Sequence, residues 1–113
     1  MSHDVIDMKE VLDRVQDDRE LLMELLQIFT QDYEEKDKIL KDAIGKKDFE
    51  QVKNIAHSIK GASGNIAAKQ LHASFLQLEQ MARAQDFSRA AEVLSAVDQQ
   101  FAEFKIFVSQ LKK

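Results

Sequence analysis

No proline occurs in the 113 residues, and glycine occurs only at Gly45, Gly61 and Gly64. A fold rich in β-turns needs such residues every ten or so positions. A chain this poor in them is suited to long helices with few breaks. Apolar spacing agrees. Ala90, Leu94, Val97, Phe101, Phe104, Val108 and Leu111 alternate by four and three, the seam of a coiled coil or of a helical bundle. Val93, Ile106 and Phe107 lie just off that seam.

The rest of the chain divides in the same way. Asp7 can cap a short first helix over residues 7–14, with Glu10 three residues on as in a capping box. Asp17 or Asp18 caps a long second helix that runs to about Ile44. Its first turns carry Leu21, Leu22, Met23, Leu25, Leu26, Ile28 and Phe29, more apolar surface than one buried stripe needs. The short helix is expected to cover part of it, and the remainder would stay exposed as a docking patch. Gly45 suits a left-handed helix end. Asp48 caps a third helix, which weakens near Gly64 and Asn65. A fourth spans about residues 68–84. Ser88 is expected to cap a fifth that runs to near the C-terminus. The predicted fold is all-α: an up-and-down antiparallel four-helix bundle over about residues 18–112, with a short extra N-terminal helix, in a single domain of residues 1–113.

Composition excludes several functions. There is no cysteine, hence no disulfide scaffold and no thiolate chemistry. A net charge of −4, with both signs mixed, argues against nucleic acid as a partner. No apolar run approaches the roughly 20 residues of a membrane span. Met1-Ser2-His3-Asp4 lacks the basic start and apolar core of a signal peptide. The expected setting is the cytoplasm and the expected state a monomer. The initial methionine and the length lead to the expectation of a free-standing protein. His3, His57 and His72 are too scattered to form a metal site.

The third helix carries the chemistry. Phe49, Val52, Ala56, Ile59, Ser63 and Ile66 form its inward stripe. His57 points about 130° away from that stripe on a wheel of 3.6 residues per turn. Lys53, Lys60, Gly61 and Gly64 lie within about 60° of the histidine's direction. Glycine inside a helix costs about 1 kcal/mol relative to alanine. Two of them beside one exposed imidazole suggest that something must come close. A histidine with an unperturbed pKa of about 6.5 offers a neutral, nucleophilic nitrogen near neutrality. Lys60, with Lys53 in electrostatic support, would attract a phosphoryl group placed on it. Nucleophile, charge and access are what phosphoryl acceptance needs. No glycine-rich loop follows a strand, so nothing holds a nucleotide. The donor must be another protein, which would also supply any magnesium. No cofactor is expected, and no kinase activity.

The run Ala56-His57-Ser58-Ile59-Lys60-Gly61, continued by Ala62, Ser63, Gly64, Asn65 and Ile66, resembles the signature of the histidine-containing phosphotransfer (HPt) domain. Asp18, Leu21, Leu22, Leu25 and Phe29 resemble that family's second helix. Leu40 to Asp48 resembles the approach to its active helix, and Leu71, Leu78, Glu79 and Arg83 the helix that follows. The resemblance covers about Asp7 to Leu111. It implies a four-helix bundle that carries phosphoryl groups between aspartates of receiver domains. The partners it implies are response regulators and the receiver of a hybrid sensor histidine kinase. It makes His57 the acceptor through Nε2, and Lys60 the lysine that holds the phosphoryl group. Gly61 and Gly64 become the clearing for the receiver, and Leu21, Leu25 and Ile28 a docking surface. Two positions depart from the family. Glu79 stands where some members have a ring-holding glutamine. It is expected to pair with Arg83 instead, leaving the ring to be supported from elsewhere. Ala67 stands where many members have glycine. His72 is expected to be a flank residue. The competing reading is a non-phosphorylated bundle that binds and regulates a receiver without using His57.

Overall fold

The computed structural model describes residues 5–111. Met1-Ser2-His3-Asp4 and the last residue of the expected bundle, Lys112, lie outside them. All regular structure among the described residues is helical: α1 Met8–Arg14, α2 Arg19–Gly45, α3 Phe49–Asn65, α4 Lys69–Arg83 and α5 Ala90–Leu111. The 27 residues of α2, at about 1.5 Å each, span about 40 Å. That matches the longest dimension of the molecule, 41 Å.

Each long helix packs on the next, and α5 returns to α2, closing a four-helix ring. Polar contacts fix the antiparallel registers. Lys41 meets Asp98 at 2.9 Å and Lys105 meets Glu34 at 3.8 Å across α2 and α5. Ser74 donates to Gln100 across α4 and α5, at 2.9 Å. The core follows the stripes read from the sequence. Val52, Ala56, Ile59 and Ser63 of α3 are buried, as are Val97, Phe101, Phe104 and Val108 of α5. Val93, expected just off the seam, is buried too. Aromatic rings fill the α2–α5 side: Tyr33 stacks on Phe101 at 3.7 Å, and Phe29 meets Phe104 edge-on at 5.2 Å. Burial pushes the Tyr33 hydroxyl above its usual range, with Asp37 and Asp98 adding to the shift.

Helix starts follow the expected aspartates. Asp7, Asp18 and Asp48 accept the backbone N–H groups of Glu10, Leu21 and Gln51 at 3.1, 3.0 and 3.1 Å. The capping box at Asp7 is only half made. The Asp7 N–H donates to Ala67 O at 2.9 Å, while the Glu10 carboxylate takes Arg14 and Lys69. Ser88 does not cap α5, which begins two residues later. Its N–H donates to Asp86 Oδ1 at 2.9 Å.

Helix ends depart further from expectation. Gly45 is not left-handed but helical, and α3, expected to weaken near Gly64 and Asn65, stays helical through both. The left-handed residues are Gln16 and Asp17 after α1, Lys47 after α2, Ala67 after α3 and Gln85 after α4. At each end two backbone bonds close a Schellman motif. After α2, Asp48 N–H reaches Ala43 O and Lys47 N–H reaches Ile44 O. After α3, Ala68 reaches Ser63 and Ala67 reaches Gly64. These bonds satisfy carbonyls that would otherwise be orphaned, and they hold non-glycine residues in a conformation that costs roughly 1–2 kcal/mol each. The departure at Ala67 is thus explained, since a glycine would take that φ without strain.

Candidate functional site

The site lies on the seam between α3 and α4, the most closely packed pair of helices. His57 projects from α3 with its side chain 67% exposed. Its Nδ1 is 3.1 Å from Oε2 of Glu79 on α4. The Glu79 carboxylate is buried, and a buried charge must be paired to be tolerated. Three cationic or donor groups surround it. Lys60 Nζ is 2.7 Å from Oε1, with no aligned hydrogen bond to that oxygen, and Arg83 donates to Oε2 at 2.9 Å. His57 completes the set. Lys60 and then Arg83 hold the Glu79 carboxyl at about 2, below its ordinary 4.5, against the opposing effect of burial.

This arrangement corrects one expectation. Glu79 does pair with Arg83, but it also holds the imidazole. It need not repel a phosphoryl group on Nε2, because it sits on the opposite nitrogen of the ring and two cations offset its charge. An ionised carboxylate can only accept, so Nδ1 must donate. The neutral ring is therefore the Nδ1–H tautomer, with the Nε2 lone pair free. The sequence signal was Glu79 itself, at a position where the family resemblance places a ring-holding residue. Its pairing with Arg83 is local to α4, whereas its contacts with His57 and Lys60 exist only because α3 packs on α4.

The other candidates separate clearly. Lys60 is brought to the cluster. Lys53 is not: its ammonium pairs with Glu50 of its own helix at 3.2 Å. Gly61 faces open space, with nothing within 4 Å of where a Cβ would stand. Gly64 is half-buried, and a Cβ there would lie 3.1 Å from Nδ1 of His72. Its lack of a side chain thus makes room for a residue of this chain. His72 is more than a flank residue, since Nδ1 also lies 2.9 Å from the Lys60 carbonyl. On α2, Leu21 and Ile28 are exposed at 41% and 61%, while Leu25 is half-buried against the core. They share a stripe with Asp32 and Lys36. Lys36, missed from the sequence, donates to Ser58, the residue after His57, at 2.7 Å. The apolar stripe therefore leads along α2 to the histidine.

Helix α1 steadies the end of this seam. Arg14 donates to the Gly64 carbonyl and, at 2.9 Å, to that of Asn65. Those carbonyls belong to the last turn of α3, where a cation is favoured by the helix dipole.

Comparison with known proteins agrees with this fold. Residues 24–111 match the family model of the Hpt domain. Histidine-containing phosphotransfer protein B (HptB) from Pseudomonas aeruginosa PAO1 has a similar crystal structure, with a TM-score of 0.88 and 28% identity. The match covers 96% of this chain and 95% of that one. No functionally curated protein matches at a significant level. Among the described residues no helix is long and apolar enough to cross a membrane. A helical bundle with a histidine held tautomer-fixed at its surface, matched by the family model over most of its length, belongs to the Hpt domain family and has a histidine phosphotransfer role in phosphorelays.

Proposed function

We propose that this chain carries a phosphoryl group on Nε2 of His57, between the aspartates of two receiver domains. One receiver belongs to a hybrid sensor kinase and the other to a response regulator. The observation that carries the reading is the exposed imidazole, with Nδ1–H engaged by Glu79 and Nε2 free. In the transfer, the P–O bond to the donor aspartate breaks and a bond from Nε2 to phosphorus forms. The aspartate leaves as a carboxylate. The ring keeps its Nδ1 proton, and Glu79 stabilises the positive charge that develops there. Lys60 has ammonium hydrogens beyond its contact with Glu79, available to phosphoryl oxygens. Lys53 adds only long-range charge.

The chain is a carrier without kinase activity. Magnesium belongs to the receiver, since the one carboxylate at His57 is already engaged by Lys60 and Arg83. Gly61 leaves space for the receiver, and Leu21, Leu25 and Ile28 supply its apolar contact. The expected setting is the cytoplasm and the expected state a monomer. Mass spectrometry after incubation with magnesium and a receiver charged by acetyl phosphate tests the proposal. One acid-labile phosphoryl group on His57 is the expected result. Binding without phosphorylation would favour the non-phosphorylated regulatory module.

A further inference from the structure

Two pairs of residues face each other across α3 and α4 in the same antiparallel register. His57 meets Glu79, and seven residues along each helix Gly64 meets His72. Seven residues are about two helical turns, so both pairs lie on the contacting faces. Lys60 stands between them and touches both. Its ammonium reaches Glu79, and its carbonyl lies 2.9 Å from His72 Nδ1. A carbonyl can only accept, so His72 donates from Nδ1. The same carbonyl also accepts from the Ser63 hydroxyl at 3.0 Å. Glu10, Arg14 and Lys69 line the cleft that His72 shares with Gly61 and Gly64.

We propose that His72 is a positioning residue: by donating to the Lys60 carbonyl and lying over Gly64, it fixes the register of α3 on α4 that sets Glu79 beneath His57. Its kinetic consequence rests on the reading of His57 as phosphoryl acceptor, but its geometric content does not. The His72 ring can lie against α3 at Gly64 because no Cβ intervenes. Losing His72 frees that end of the seam, and the His57–Glu79 contact loosens with it.

The test uses His72→Ala, which removes the donor, and His72→Asn, whose amide can donate from nearly the same place. Nitrogen-15 spectra of the His57 ring report its tautomer. Phosphoramidate, as a protein-free donor, reports phosphoryl uptake. His72→Ala should mix the His57 tautomers and slow uptake about fivefold, the order expected for one lost hydrogen bond. His72→Asn should restore both readouts to within about twofold of wild type. Gly64→Ala should reproduce the His72→Ala effect, and should add nothing further in the His72→Ala background. An unchanged His57 spectrum in folded His72→Ala, or no rescue by asparagine, overturns the proposal. If His72→Ala does not fold, Gly64→Ala and the asparagine variant decide. If wild type takes up no phosphoryl group, the carrier reading fails, while the His57 spectra still decide the role of His72.

Discussion

His57 and His72 face each other's helices along one seam, and both have Nδ1 held by an acceptor on the opposite helix. They differ in what that acceptor is and in what surrounds the rest of the ring. His57 is held by an ionised, buried carboxylate, and the remainder of its ring is open to solvent. His72 is held by a backbone carbonyl and is half-buried over Gly64. Fixing a tautomer is thus not enough to make a nucleophile. The proposed acceptor also needs a charge on the far nitrogen that would stabilise the developing cation, and an approach path to the near one. Only the Glu79 side of the seam supplies both.

Removing the proposed acceptor has the largest expected effect. His57→Gln should abolish phosphoryl uptake completely, as read by mass spectrometry, with helical circular dichroism unchanged because the side chain is exposed. Labelling at His72 in that variant would erase the distinction between the two rings. Lys60→Ala comes next. It removes the cation that lies beside both the carboxylate and the expected phosphoryl position. Transfer in stopped-flow or quench assays should slow by roughly ten- to a hundredfold, in line with loss of one preorganised stabilising group.

Glu79→Gln sharpens the comparison by making the His57 acceptor neutral, like that of His72. Uptake should fall about tenfold while a hydrogen bond to Nδ1 persists. Stability supplies an independent signature. The carboxyl of Glu79 sits at about 2 in the folded chain against an ordinary 4.5. Between those values the unfolded chain binds the extra proton, so stability rises with pH there. The contribution is complete above the ordinary value and lost as pH falls towards the folded one. Urea melts of wild type should show this acid-range loss from Glu79, and melts of Glu79→Gln should lack it. Parallel pH profiles for the two proteins would sink the ion-pair account.

The smallest effect separates the two glycines. Gly61→Ala meets open space and should stabilise the helix by about 0.5–1 kcal/mol in thermal melts. At Gly64 the contact with His72 should cancel that gain. Receiver affinity should weaken more for Gly61→Ala than its stability would suggest, since the open face is the one the proposed receiver contact would use. Equal responses at the two positions would show that neither glycine has a distinct task.

Much of the molecule was legible because it depends on local periodicity. The buried stripe of α3 and the seam of α5 follow from 3.6 residues per turn, and a burial pattern at that spacing has few other solutions. The aspartate caps were equally local, each acting within three residues. Helix ends were less legible. Gly45 looked like the left-handed residue, yet Lys47 holds that place, because the conformation is set by the two bonds of a Schellman motif and by where the next helix must begin. The role of Glu79 was hidden for a different reason. Its partners lie at positions 57, 60 and 83, and only packing of α3 on α4 brings the first two to it.

The sequence by itself determined the class of fold, the exposed histidine and the lysine one turn away, since all three are consequences of helical spacing. Tertiary structure alone decided which nitrogen of His57 is free, that Glu79 holds the ring, that Lys60 reaches Glu79, and that Gly64 makes room for His72. Those facts depend on distances between helices. No periodicity along one helix specifies how far away its neighbour lies or which of the neighbour's side chains meets a given ring.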